Sequence, residues 1–174
     1  MSQTLIEKML PARVLVNAGI YLQSAAHLEL TIWQIVMLAD GVDQTSSEQF
    51  LKTLEIKKIT PKLVRQLRQC STNCHAPLGL RMCALAEKIT NGIENRNLVA
   101  HGAFYFDDET QSIRVAHYFP RGNKENRQWF EFNEAISERT IKVAIEEIDM
   151  LLREAVDIRS ELEARSHQPR SRAF

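Results

Sequence analysis

Residues 11–40 carry an apolar stripe that only one long helix can gather onto a single face. Leu15, Ala18, Leu22, Ala25, Glu29, Ile32, Val36 and Ala39 follow one another at alternating steps of three and four, the spacing of one side of an α-helix. Val14, Tyr21, Leu28 and Ile35 form a second apolar row one position over. The apolar surface is therefore broad enough for two neighbours, a second subunit among them. Pro11 suits the first turn of this helix, and Asp40-Gly41 ends it.

Two further stripes have the same period. Met82, Leu85, Ile89, Ile93, Arg96 and Ala100 define a helix that opens after Ala76-Pro77 and runs from about Leu78 to His101. Asn91-Gly92 is a turn signal within it, but the stripe stays in phase across that dipeptide, so the helix is read as continuous. Ile141, Ala144, Ile148, Leu151, Ala155, Ile158 and Leu162 define a last helix from Ser137 to about Ala164, with Ser137-Glu138-Arg139-Thr140 as its cap region. Shorter helices are expected from Ser46 or Ser47 to Ile59, and from Thr60-Pro61 onward. Between the helix that ends at His101 and the last helix the period changes. Ala103 to Asp107, Ser112 to Phe119 and Arg127 to Phe132 are rich in aromatic and β-branched residues, with turn-like stretches between them. The expected fold is mainly α, a helical bundle with a small antiparallel β-meander over about residues 103–132. One domain is expected over residues 1–165, with a disordered tail at 166–174.

Composition narrows the partners. Lys+Arg and Asp+Glu are equal at 22 each, so no global positive field is available to hold a nucleic-acid backbone. Any RNA contact must be local. The most basic stretch holds Lys52, Lys57, Lys58, Lys62, Arg65 and Arg68 against Glu48 and Glu55. Lys57, Lys58, Lys62 and Arg65 are its candidate phosphate contacts, although the same stretch suits an ordinary solvated helix face. No apolar run approaches the length of a membrane span. Met1-Ser2-Gln3-Thr4 lacks the basic start and apolar core of a signal peptide. Three cysteines argue against a disulfide framework and for a reducing cytoplasm. Cys70, Cys74 and His75, with Cys83 beyond them, lack the second tight pair of a zinc site, so free thiols and no metal or cofactor are expected.

Two charges interrupt apolar stripes: Glu29 in the first and Arg96 in the second. A guanidinium facing an apolar layer is costly unless it is paired or opens onto a polar cleft. Glu29 is therefore a candidate to hold Arg96, the other reading being that Glu29 reaches solvent at the helix edge. Asn97 and His101 lie four apart on an adjacent face. Gly102 follows as an expected left-handed helix stop, which puts His101 in the last turn, where the helix dipole favours a cation. An arginine and a titratable histidine at one helix end suit acid–base chemistry on an anion. The same spacing also suits an inter-helix ion pair for Arg96 and a purely terminal role for His101. His117, Tyr118 and Trp129 are candidates to stack on a base, or to pack within their sheet.

The string Arg96-Asn97-Leu98-Val99-Ala100-His101 resembles the Arg-x4–6-His motif of the HEPN superfamily, including the polar residue directly after the arginine. The match covers about ten residues; the order of elements around it is also similar to that family. The resemblance implies a symmetric homodimer whose two motifs meet in one cleft, and a metal-independent endoribonuclease. In that reading a ribose 2′-hydroxyl attacks the adjacent phosphorus. Arg96, His101 and Asn97 are the implied catalytic residues: Arg96 stabilises the phosphoryl charge, His101 transfers protons, and Asn97 orients His101 or a phosphate oxygen. The family also implies RNA as substrate, a toxin–antitoxin or defence setting, and restraint by an antitoxin or nucleotidyltransferase-type partner. Other members imply a non-catalytic dimer that binds a nucleotide, an RNA or a protein. A structural dimer with Arg96 as an interface ion pair stands as a third reading.

Overall fold

The computed structural model describes residues 4–42, 48, 50–52, 55, 60–121 and 125–166, with the backbone alone at 93, 94 and 121. The protein is mainly helical, with a three-stranded antiparallel sheet ahead of the last helix. Among the described residues, the helices with both ends defined are α1 (Leu5–Met9), α2 (Ala12–Ala39), α3 (Thr60–Cys70), α4 (Ala76–His101) and α5 (Glu138–Ser166). A single 3-10 turn, Ser71–Asn73, follows α3. The strands are β1 (Ala103–Asp107), β2 (Ser112–Arg121) and β3 (Gln128–Ile136). Among the described residues, no helix is long and apolar enough to cross a membrane. The chain divides into two compact units, residues 1–23 with 93–147, and residues 24–92 with 148–174.

The first unit contains α1, the start of α2, the end of α4, the sheet and the start of α5. Helix α1 is too short for an apolar period, so the stripes gave no sign of it. A capping box starts it: Thr4 Oγ1 accepts from the Glu7 N–H, and the Glu7 carboxylate accepts from the Thr4 N–H at 2.6 Å. These hydrogen bonds from Thr4 hold the Glu7 carboxyl below its ordinary pKa. In this half of α2 the inner row is Val14 and Tyr21, both buried, whereas Leu22 is 37 % exposed. The row beside the main stripe therefore lies inward here.

The strands run in the order β1-β2-β3, both pairs antiparallel. Alternation along β2 puts Ile113, Val115, His117 and Phe119 on one face. Ile113 and Val115 are buried. The other face is polar: Tyr105 donates to Asn133 Oδ1 at 2.9 Å, Arg114 donates to the same residue, and Tyr118 donates to Glu131 at 2.9 Å. Strand β3 runs past Phe132 to Ile136 because Asn133, Glu134 and Ala135 keep pairing with Ala116, Val115 and Arg114. Asn133 and Glu134 are exposed, so keeping them in the strand buries no polar side chain. Ser137 then caps α5, its hydroxyl accepting from the Thr140 N–H at 3.1 Å.

The second unit holds most of the apolar interior. Ile32, Ile35 and Val36 of α2, Leu63 and Leu67 of α3, Leu78, Met82 and Leu85 of α4, and Ala155, Ile158 and Leu162 of α5 are buried. Trp33 is 8 % exposed and meets Phe50 edge-on, with ring centres 5.7 Å apart. Polar ties join the helices. Asp40 accepts from Gln66 at 3.1 Å and from Asn73 at 3.0 Å. Arg81 donates to Glu154 at 2.8 Å and to Glu161 at 3.0 Å. Helix α2 stops at Gly41, whose φ of +65° is the left-handed conformation that glycine takes at least cost. Helix α4 passes through Asn91-Gly92 without a break. Of the helix read from Ser46 or Ser47 to Ile59, only Glu48, Phe50–Lys52 and Glu55 are described, all helical; its cap lies outside the described residues. So do residues 167–174 of the tail.

The helical phase can be checked by deletion. Leu67 is fully buried and Leu80 is 71 % exposed. Leu67→Ala should cost roughly 2–5 kcal/mol in urea unfolding, and Leu80→Ala within about 0.5 kcal/mol of nothing. Equal losses would contradict this packing.

Candidate functional site

The motif occupies the last turns of α4 and lies wholly in the first unit. Arg96 and Asn97 are half-buried and His101 is exposed. The Arg96 guanidinium donates to Asn97 Oδ1 at 3.3 Å. Asn97 and His101 share a helix face, so this hydrogen bond draws the arginine toward the face that carries the histidine. The positive charge of Arg96 is also felt by Tyr21. Burial, then the Glu147 carboxylate, raises the Tyr21 hydroxyl above its ordinary pKa, and Arg96 opposes them. The unit carries an open pocket of about 410 Å³ beside Tyr21 and Glu147, with Val14, Ala18, Leu98, Val99 and Ile141 also in its wall.

Gly102 ends α4, but not in the expected left-handed conformation: Gly41 is the glycine with positive φ among the described residues. Gly102 is required for a different reason. A Cβ there would lie 2.4 Å from the Leu98 carbonyl oxygen and 2.5 Å from Val115 Cγ2. The bare backbone lets the helix end come directly onto β2, while the Gly102 N–H still donates to Leu98 at 2.8 Å.

That close approach brings two histidines together. His101 leaves the helix one residue before Gly102, and His117 follows Val115 by two on the same strand face. Their rings lie nearly parallel, 21° apart, with centres at 6.3 Å. The row continues along the sheet: His117 to Phe119 at 5.6 Å, then Phe119 to Phe130 at 6.3 Å. Of the aromatic candidates, His117 thus joins the motif. Tyr118 and Trp129 are 61 % and 68 % exposed on the opposite face of the sheet. The sequence put His117 on the right strand; its pairing with His101 depended on Gly102, whose role no spacing reveals.

The remaining candidates belong to the second unit or fall outside the described residues. Glu29 is in the second unit, where it accepts from Thr60 Oγ1 at 2.6 Å. Lys62 and Arg65 are exposed on α3 of that unit. Lys57 and Lys58 lie outside the described residues. No group of three His, Cys, Asp or Glu side chains is placed to hold a metal ion among the described residues. Cys70 is buried and its thiol donates to the Leu67 carbonyl, while Cys83 is exposed and 3.1 Å from Ser71 Oγ.

Two measurements test this geometry. Gly102→Ala must push the helix end off β2, and should destabilise the protein by roughly 1–3 kcal/mol in chemical unfolding; an unchanged midpoint would mean that the helix end does not rest there. Burial pushes the Cys70 thiol up to about 12, so almost no reactive thiolate exists at neutral pH. Iodoacetamide should modify Cys83 in the native protein and reach Cys70 only on denaturation, as read by peptide mass. No protein-family model, no curated protein and no solved structure matches this chain.

Proposed function

We propose that this protein is a metal-independent endoribonuclease of HEPN type that works as a homodimer. The reading rests on one observation above all. Arg96 is held by Asn97 on the turn before His101, and His101 stands exposed at the helix end. A guanidinium suits the developing charge on phosphoryl oxygens because it offers several donors in a fixed fork. An imidazole can both take and give a proton near neutral pH.

In the proposed reaction the ribose 2′-hydroxyl loses its proton and its oxygen bonds to the adjacent phosphorus. The P–O5′ bond breaks, and the departing oxygen takes a proton. The products are a 2′,3′-cyclic phosphate and a 5′-hydroxyl, so atoms and charge balance without any redox partner. Arg96 stabilises the extra negative charge as the new bond forms. Asn97 fixes the arginine. The protein should cleave single-stranded RNA in EDTA, and Arg96→Ala and His101→Ala should each lose about 10²–10⁴-fold in rate. Full cleavage by pure His101→Ala protein would reject the reading.

The balanced charge, 22 against 22, favours a second reading: a dimer that binds RNA, a nucleotide or a protein without cleaving it. Retention of labelled RNA that stays intact, weakened by Arg96→Ala, would select it.

A further inference from the structure

We infer that His117 is the second proton-transfer residue of the ribonuclease reading above, so that each chain carries its own acid–base pair. The inference rests on that reading and adds the residue that completes it.

In-line cleavage needs two proton transfers on opposite sides of phosphorus. The attacking and departing oxygens lie roughly 3.5 Å apart and each must reach an imidazole at about 2.8 Å, so the two rings must stand roughly 6–9 Å apart. His101 and His117 are at 6.3 Å, centre to centre. Two imidazoles in direct hydrogen bond would be closer and would satisfy each other. Near-parallel planes leave the nitrogens on the ring edges, so a phosphate lying across both edges meets each ring in its plane, the direction of its N–H and its lone pair.

The surroundings suit the role. His117 is half-buried between His101 and Phe119. Its strand face otherwise carries Ile113, Val115 and Phe119, where alternation alone asks for an apolar side chain. The neighbouring rings meet it face to face and leave its nitrogens unused. Among the described residues, neither imidazole is hydrogen-bonded to another side chain, so both have capacity for a ligand. In the cleavage step one of the two takes the 2′-hydroxyl proton and the other gives a proton to the departing 5′-oxygen. Phe119 and Phe130 continue the ring row, a surface for the base next to the scissile phosphate.

The test compares wild type, His101→Ala, His117→Ala and His117→Phe on single-stranded RNA and on uridine 3′-(4-nitrophenyl phosphate), whose leaving group needs no proton. His117→Phe keeps a ring between His101 and Phe119, and thermal unfolding monitors the fold of each variant. All three variants should lose about 10²–10⁴-fold on RNA. The activated substrate should restore either the His101 variant or the two His117 variants, and not both, because one position supplies the acid and the other the base. RNA cleavage at the wild-type rate by folded His117→Phe, with His101→Ala inactive, would overturn the inference and leave the nuclease reading standing. Restoration of neither position would also overturn it, since the loss would then be one of structure. Cleavage of RNA by His101→Ala at the wild-type rate would reject the nuclease reading itself.

Discussion

The contact between the end of α4 and strand β2 has room for a peptide backbone and nothing more. A methyl group at residue 102 would meet the Leu98 carbonyl oxygen at 2.4 Å and Val115 at 2.5 Å. The carbonyl is part of the last helical turn and cannot yield without opening it. Val115 is fully buried and anchors the centre of the sheet. The position of the helix end on the sheet is therefore set by van der Waals contact on both sides. The arrangement of His101 over His117 follows from it, because each lies within two residues of that contact.

This explains why the motif and the sheet belong to one unit although the motif helix begins in the other. Arg96 and Asn97 are oriented by the helix, and His117 by strand alternation. Only the glycine makes the two frames meet. Tyr21, buried nearby, registers both Arg96 and Glu147 through its raised hydroxyl. The charged groups of this region thus act on a common, largely apolar surrounding, where their influence is less screened than in water.

The long helices were legible because each repeats an apolar position many times. Errors of one residue shift a stripe out of phase at once, and α2, α4 and α5 end within about two residues of their expected limits. The strands were legible from composition and turns. What stayed hidden has particular causes. The row of Val14 and Tyr21 against that of Leu15 and Leu22 is a difference in rotation that two adjacent apolar rows leave open. The extension of β3 depends on cross-strand partners. Gly102 stands where a helix-stopping glycine is expected, yet it serves a tertiary contact; both roles are written with the same letter. Of the candidate site, Arg96 stood out in sequence because it breaks an apolar stripe, and Asn97 and His101 because they share a face at the helix end and complete a motif with it, whereas the neighbour of His101 lies sixteen residues further on and across a helix–sheet contact.

The two tryptophans of the chain fall one to each unit. Trp33 is enclosed at 8 % exposure, and Trp129 stands in solvent at 68 %. An indole in an apolar interior emits at shorter wavelength than one in water. The molecule thus carries two intrinsic fluorophores of different colour, and each reports on a different half of its architecture. Melting of the helical interior would redden the first signal, while the second follows events on the outer face of the sheet.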